Sequence, residues 1–162
     1  MNFKKITLYR EPAISEINIE SLIIFLRKNF PIDVEIKDNV FKEFSLENIK
    51  KLSNIRVTDI KSSFSEHKSS DVEIEFERKL CEDSSLMNST TKVENARQIN
   101  EVFMYDGFEL QKILRYLNED NETLHIILTN RLTCTFDEND SRYHGRAVIC
   151  ANPSIISTTG II

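Results

Sequence analysis

Residues 123–160 read TLHIILTNRLTCTFDENDSRYHGRAVICANPSIISTTG, and this stretch decides the fold class. The segment LHIILT at 124–129 is apolar and β-branched, which predicts a strand. RAVIC at 146–150 predicts a second strand, which Pro153 ends because proline cannot extend a ladder. The stretch also holds two of the three histidines and two of the three cysteines of the chain. We therefore expect both the sheet and the candidate chemistry here.

Working outward, the remaining sequence alternates between strand and helix patterns. Three segments are predicted strands: 3–9, 34–37 and 71–78. The last of these, DVEIEFER, alternates apolar and acidic residues, as a half-buried strand does. Three segments are predicted helices: 19–29 behind an Asn18 cap, about 39–53 with a possible break at Ser45, and the segment that begins at Asp106, whose side chain caps it with help from Glu109.

This order of elements predicts an α/β fold. We expect a single layered domain over residues 1–162, with a mixed, mostly parallel sheet flanked by two or three helices. Segments 58–70 and 82–92 are rich in serine, lysine and acidic residues, and both are predicted loops.

Composition narrows the class of protein. A chain of 162 residues fits one domain with a real core. Its net charge of −5 argues against nucleic acid as a partner, and no apolar run is long enough to predict a membrane span. Three cysteines without a CxxC pair predict free thiols and a cytoplasmic location. The sequence leaves the oligomeric state open.

The candidate chemistry lies in DENDSRYH at 137–144. Asp137, Asp140 and His144 could meet in one loop and hold a metal ion, since a zinc hydrolase needs about three ligands. The sequence has no HExxH motif, which supplies two ligands on one helix turn. The alternative is a solvated acidic turn with His144 at the edge of the next strand. His125 is a second weak metal candidate, or a half-buried histidine of the strand.

Arginines flank the same loop. We expect Arg131, Arg142 or Arg146 to form ion pairs with its two aspartates. The candidate binding residues are therefore Arg131, Asp137, Asp140, Arg142 and His144. Cys134 could act as a nucleophile if His144 lay within hydrogen-bond reach, but no orienting third group is evident, and no catalytic residue is assigned.

Four segments carry a resemblance to a known family: EFER at 75–78, YDGF at 105–108 with Leu110 and Gln111, LHIILT at 124–129 with Arg131 and Leu132, and 137–160 with its closing SIISTTG. Together they resemble an archaeal metallopeptidase family that is distantly similar to the archaemetzincins. The resemblance implies an α/β sheet, an archaeal cytoplasmic origin, and zinc as the cofactor. It also implies that an edge strand receives a peptide or protein as an added strand.

In that family the STTG segment is followed by a region that contains Cys and His, the natural metal site. We therefore expect this chain to be the N-terminal part of a longer metallopeptidase-like design and not to be catalytic alone. The alternative is a non-enzymatic module that uses residues 133–146 to bind a protein or ligand in a regulatory role.

Overall fold

The computed structural model describes residues 3–12, 14, 17–64, 67–83 and 103–160. Its strands are β1 (Lys5–Arg10), β2 (Asp33–Lys37), β3 (Met104–Asp106), β4 (Thr123–Thr129), β5 (Leu132–Asp137), β6 (Arg142–Gly145), β7 (Val148–Ile149) and β8 (Ser154–Ser157). Its α-helices are α1 (Ile19–Asn29), α2 (Leu46–Asn54), α3 (Asp71–Glu82) and α4 (Gly107–Ile113). Short 3₁₀ helices cover Val40–Glu43, Leu114–Glu119 and Thr158–Gly160.

The main sheet has five strands in the order β2-β1-β4-β8-β7. The first four are parallel, and β7 joins the edge antiparallel to β8. A smaller sheet has the order β3-β5-β6, with β3 parallel to β5 and β6 returning antiparallel as a hairpin. The α/β class and the mostly parallel mixed sheet in a single domain are thus confirmed.

The two faces of the main sheet bury different sets of side chains. Ile6, Leu8 and Val34 face α1, whose apolar stripe packs on them. The larger core lies on the opposite face and gathers Phe41, Leu52, Tyr105, Leu110 and Ile155, among others, from α2, α4 and both sheets. No helix in the described part of the chain is long and apolar enough to cross a membrane.

Two predicted helix starts are confirmed by their caps. The Asn18 side chain accepts from the Ser21 N–H at 2.9 Å, and α1 begins one residue after the cap. Asp106 Oδ1 accepts from the N–H groups of Phe108 and Glu109, both at 3.0 Å. The predicted return bond from the Glu109 side chain to the cap is not seen, because Glu109 Oε1 accepts from Lys112 Nζ instead.

The predicted strand at 71–78 is wrong, since these residues lie in α3. Glu77, Leu80 and Cys81 form its buried face, and Ile74 lies one turn earlier on the same side. The helical period is not apparent from the sequence, because the charged residue Glu77 occupies a core position. The exposed Val72 also fits the two-residue alternation of apolar and polar residues that is typical of a strand. The missed signal was a capping box: Ser70 caps the Glu73 N–H, and the Glu73 carboxylate accepts from the Ser70 N–H.

The other boundaries agree with the prediction in part. The segment 39–53 breaks at Ser45, as the sequence indicated: a 3₁₀ turn covers Val40–Glu43, and Ser45 caps α2. The strand at 146–150 narrows to β7, while the hairpin of β5 and β6 was not predicted. Described residues of 58–70 form turns, bends and irregular backbone. Most of the predicted loop 82–92 lies outside the described residues.

Candidate functional site

The predicted loop at 137–144 is the tip of the β5–β6 hairpin. Asp137 pairs with Arg142 across the hairpin, and Ser141 turns the chain with a positive φ of 54°. Potential ligand atoms of Asp137, Asp140 and His144 all lie within 4.8 Å of one another. Together with Arg142, the hairpin therefore brings together four of the five predicted binding residues.

The contacts within this group are those of an exposed ion-pair cluster. Arg142 Nε donates to Asp140 Oδ2 at 2.7 Å, which confirms the predicted pairing for this arginine. His144 Nε2 lies 2.8 Å from the same oxygen. These two partners, His144 first, lower the pKa of Asp140. Asp137 Oδ1 accepts from the backbone and side chain of Asn139, both at 2.9 Å.

The predicted pairing of Arg131 with the loop aspartates is wrong. Its side chain is fully buried, with Nη1 2.5 Å from Glu77 Oε1 and 3.0 Å from the Tyr105 hydroxyl. Its Nε lies 3.3 Å from Glu11 Oε1. A guanidinium with two carboxylates close by is neutralised by them rather than by the exposed hairpin. No local sequence pattern indicates this pairing, because Arg131 and its partners lie far apart along the chain.

Arg131 belongs to a larger buried network. Arg56 Nε donates to Glu77 Oε2 at 2.9 Å, so that Glu77 serves two guanidinium groups. Arg131 also lies over the ring of Phe41, 4.4 Å from its centroid, and Arg56 lies 4.5 Å from that of Phe103. Burial raises the pKa of Glu11 despite the neighbouring arginine. The network joins both sheets to α3 and is almost completely buried, so we assign it a structural role.

The other two candidates do not join the hairpin cluster. His125 lies on β4 in the main sheet, where its Nδ1 is 3.1 Å from the Tyr9 hydroxyl. Cys134 is buried, its thiol donates to the Tyr105 carbonyl at 3.3 Å, and burial raises its pKa to about 12. His144 pairs with Thr135, so it points to the opposite side of the hairpin from Cys134. The thiol and imidazole therefore do not form a nucleophilic pair.

The edge strand β7, which pairs antiparallel with β8, has a feature that the sequence alone does not indicate. The Ser157 N–H donates to the Ala147 carbonyl at 2.8 Å, which makes these two a hydrogen-bonded pair. Antiparallel ladders alternate, so the N–H and C=O of the next residue, Val148, point away from β8. Both groups therefore lie on the outer edge of the sheet.

The packing behind β7 fixes its position. Ile149 is 3% exposed and packs against the first residue of α4. A Cβ at Gly107 would lie 2.5 Å from Ile149 Cδ1, so a larger residue at this position would force the Ile149 side chain to move. Val148 points to the other face and is 47% exposed. The edge is therefore held rigidly from behind and is accessible in front.

The two edges of the main sheet differ in charge. Strand β2 has the sequence DVEIK, whose alternating charges discourage pairing with another chain. The β7 edge, AVIC at 147–150, has no charge. Its lack of charged residues is the signal by which the sequence could have identified an edge open to a partner strand.

Comparison with known families matches residues 2–162 to the model of a probable metallopeptidase family (DUF6775). No curated protein and no solved structure matches the chain.

Proposed function

This chain belongs to the probable metallopeptidase family, and we propose that it binds an extended peptide along the outer edge of β7. The backbone of Val148 carries the proposal, because it directs one donor and one acceptor outward from an uncharged edge strand. An extended peptide can satisfy both groups by adding a strand to the sheet. A metallopeptidase has to hold its substrate extended, and strand addition does this without selecting a particular side chain.

The expected orientation follows from the sheet. Antiparallel pairing is slightly more stable per residue than parallel pairing, so the peptide is expected to run antiparallel to β7. The exposed Val148 side chain then lies beside an apolar residue of the peptide. Because β7 has only two residues, it offers few backbone bonds. We therefore expect a dissociation constant of about 1 mM, which corresponds to roughly −4 kcal/mol.

The family implies a catalytic metal, and the described residues do not fit one. Among them, one group of three potential ligands was found, namely Asp137, Asp140 and His144. A hydrolytic zinc ion needs three protein ligands in a cleft that also admits water and substrate. Here Arg142 already occupies the shared oxygen of Asp140, and the group lies on an exposed hairpin tip. For the residues that the structure describes, we therefore propose peptide binding rather than hydrolysis.

The proposal also includes a reducing, cytoplasmic location. It is supported by three cysteines that form no disulfide: Cys81, Cys134 and Cys150. Archaeal origin and distant similarity to the archaemetzincins stay predictions from the sequence.

Replacing Val148 by proline tests the proposal. Proline removes the outward N–H but takes no bond from the β7–β8 ladder, and proline is tolerated at sheet edges in this orientation. The probe is the fluorescein-labelled peptide acetyl-KTVTVK-amide, whose binding is measured by fluorescence anisotropy. Binding should weaken about fivefold or more, because one hydrogen bond is lost and the peptide carbonyl that it served is desolvated without a partner. Val148→Thr keeps the N–H and the β-branched shape, and it should bind as the wild type does. Equal binding by the proline variant, or no binding by the wild type, would refute the proposal.

A further inference from the structure

A polar cavity lies on the main sheet, far from the β7 edge. It has a volume of about 320 Å³ and opens over β1, β2 and the start of β4, on the face opposite α1. Tyr116 and Leu117 of the 3₁₀ helix Leu114–Glu119 form one of its walls. This volume is at the lower end of the range for small-molecule sites.

The floor of this cavity is unusual for a parallel sheet. Such sheets are normally covered and apolar on both faces. Here Thr7 pairs with Glu35 on one side and His125 on the other, which places three polar residues in one row. In the next row on the same face, Tyr9 pairs with Lys37. Polar side chains thus replace core residues where β2, β1 and β4 form the floor of the cavity.

His125 has a buried ring nitrogen whose hydrogen-bonding capacity is not satisfied by the described residues. It is 8% exposed, and its Nδ1 is bonded to the Tyr9 hydroxyl. Its Nε2 has no partner in the described part of the chain. If the tyrosine hydroxyl donates to Nδ1, then Nε2 carries the hydrogen and is a donor. A buried polar atom without a hydrogen-bond partner lowers the stability of the fold by about 1–3 kcal/mol, and such atoms normally have a partner. We therefore expect a bound molecule to provide one for Nε2.

Most charged side chains around the cavity already have ion-pair or hydrogen-bond partners, with one exception. Lys5 Nζ is 2.8 Å from Glu35, and the two carboxylate oxygens of Asp120 accept from the Glu122 N–H and the Thr123 hydroxyl. Lys37 is exposed and forms no ion pair with the residues that the structure describes. It lies two strands from His125, a separation of about 10 Å between backbones that long side chains can narrow.

We propose that this cavity binds a small monocarboxylate with a short apolar tail, its oxygens held by Lys37 Nζ and His125 Nε2. Tyr116 and Leu117 provide the apolar wall for the tail. Nε2 has almost no exposed surface in this structure, so a ligand oxygen reaches it only after lining side chains move. The exposed side chains Lys37 and Tyr116 line the same cavity as His125. Asp120 accepts from neutral donors only and keeps its charge, so it repels a doubly charged phosphate more strongly than a singly charged carboxylate, which selects the ligand class.

Isovalerate is the probe that tests the site. Titrated into the whole chain and followed by ¹⁵N NMR, it should saturate and shift the His125 Nε2 resonance. Isovaleramide has the same shape without the charge. It should bind at least about tenfold more weakly, because it cannot form the charge-assisted hydrogen bond. Lys37→Gln should weaken isovalerate binding to a similar extent. Lys28→Gln removes one charge from α1, on the other face of the sheet, and should leave binding unchanged.

The comparison of isovalerate with isovaleramide uses only the wild-type protein, so it tests the proposed site even if a variant folds poorly. Equal binding of acid and amide, a preference for inorganic phosphate, or no shift at Nε2 would overturn the proposal. The site is also separable from the peptide edge, because Val148→Pro should bind isovalerate as the wild type does.

Discussion

Arg131 Nη1 lies 2.5 Å from Glu77 Oε1, and neither side chain has any exposed surface. The pair connects the turn between β4 and β5 to α3, two parts of the chain 54 residues apart. Because Glu77 also binds Arg56 and the Tyr105 hydroxyl, one carboxylate holds three partners from three elements. The relative position of α3 and the two sheets therefore depends on this carboxylate.

Glu77→Ala should destabilise the fold by about 3–5 kcal/mol, because it leaves two buried guanidinium groups without their main partner. Urea unfolding followed by circular dichroism measures the change. Glu75→Ala is the matched control on the same helix, since Glu75 pairs with Arg78 at an exposed surface. The control should cost at most about 1 kcal/mol. Equal effects of the two changes would show that the buried network does not stabilise the fold.

Asp106→Ala should cost about 2 kcal/mol or more. The Oδ1 atom caps α4, and Oδ2 accepts from the Tyr143 hydroxyl at 2.9 Å. Loss of a helix cap accounts for about 1 kcal/mol, and loss of the tyrosine bond for a similar amount. Tyr143→Phe removes only the second part and should cost about half as much. An unchanged urea midpoint for Asp106→Ala would contradict the cap assignment.

The cysteines should divide into one reactive and two unreactive thiols. Cys150 is exposed, whereas Cys81 and Cys134 are buried, and burial raises the pKa of both buried thiols to about 12. Because the thiolate is the reactive form, Ellman's reagent at neutral pH should detect one thiol in the native protein. All three should react after unfolding without a reductant. Fewer than three would reveal a disulfide and argue against a reducing compartment.

Glu73 should titrate far below an ordinary glutamate. Bonds from the Ser70 N–H and hydroxyl, followed by His67, lower its pKa to about 2. A depressed folded pKa means that the contribution of this carboxylate to stability is present above its ordinary pKa of 4.5 and is lost as the pH falls towards 2. Carboxyl ¹³C NMR measures the titration directly. Ser70→Ala removes the hydroxyl donor and should raise the midpoint. An ordinary midpoint in the wild type would contradict the capping box.

Local signals were sufficient for much of the fold. Asn18 and Asp106 predicted two helix starts, and the apolar segment at 124–129 predicted the central strand, because caps and strand patterns are encoded by neighbouring residues. Features that depend on tertiary partners could not be predicted from the sequence. Glu77 looks like a surface residue until Arg131 and Arg56 are known to face it, and for that reason α3 was mistaken for a strand.

The candidate site shows the same division. Asp137, Asp140 and His144 lie within eight residues of one another, and a tight hairpin brings them together as the sequence suggested. Arg131 also lies close along the chain, at the start of the same segment, but its side chain is buried in the core. Val148 was missed because its role depends on which way its backbone faces, and that is set by the pairing of β7 with β8 rather than by residue type.

The amide resonance of Val148 reports directly on whether a peptide pairs with β7. On addition of acetyl-KTVTVK-amide to the ¹⁵N-labelled protein, we expect the largest shift at the Val148 N–H, with smaller shifts at Ala147 and Ile149. Hydrogen exchange of the same N–H should become slower as the peptide covers it. Shifts centred on β2 or on the hairpin tip at 137–144, with an unchanged Val148 resonance, would rule out peptide binding at β7.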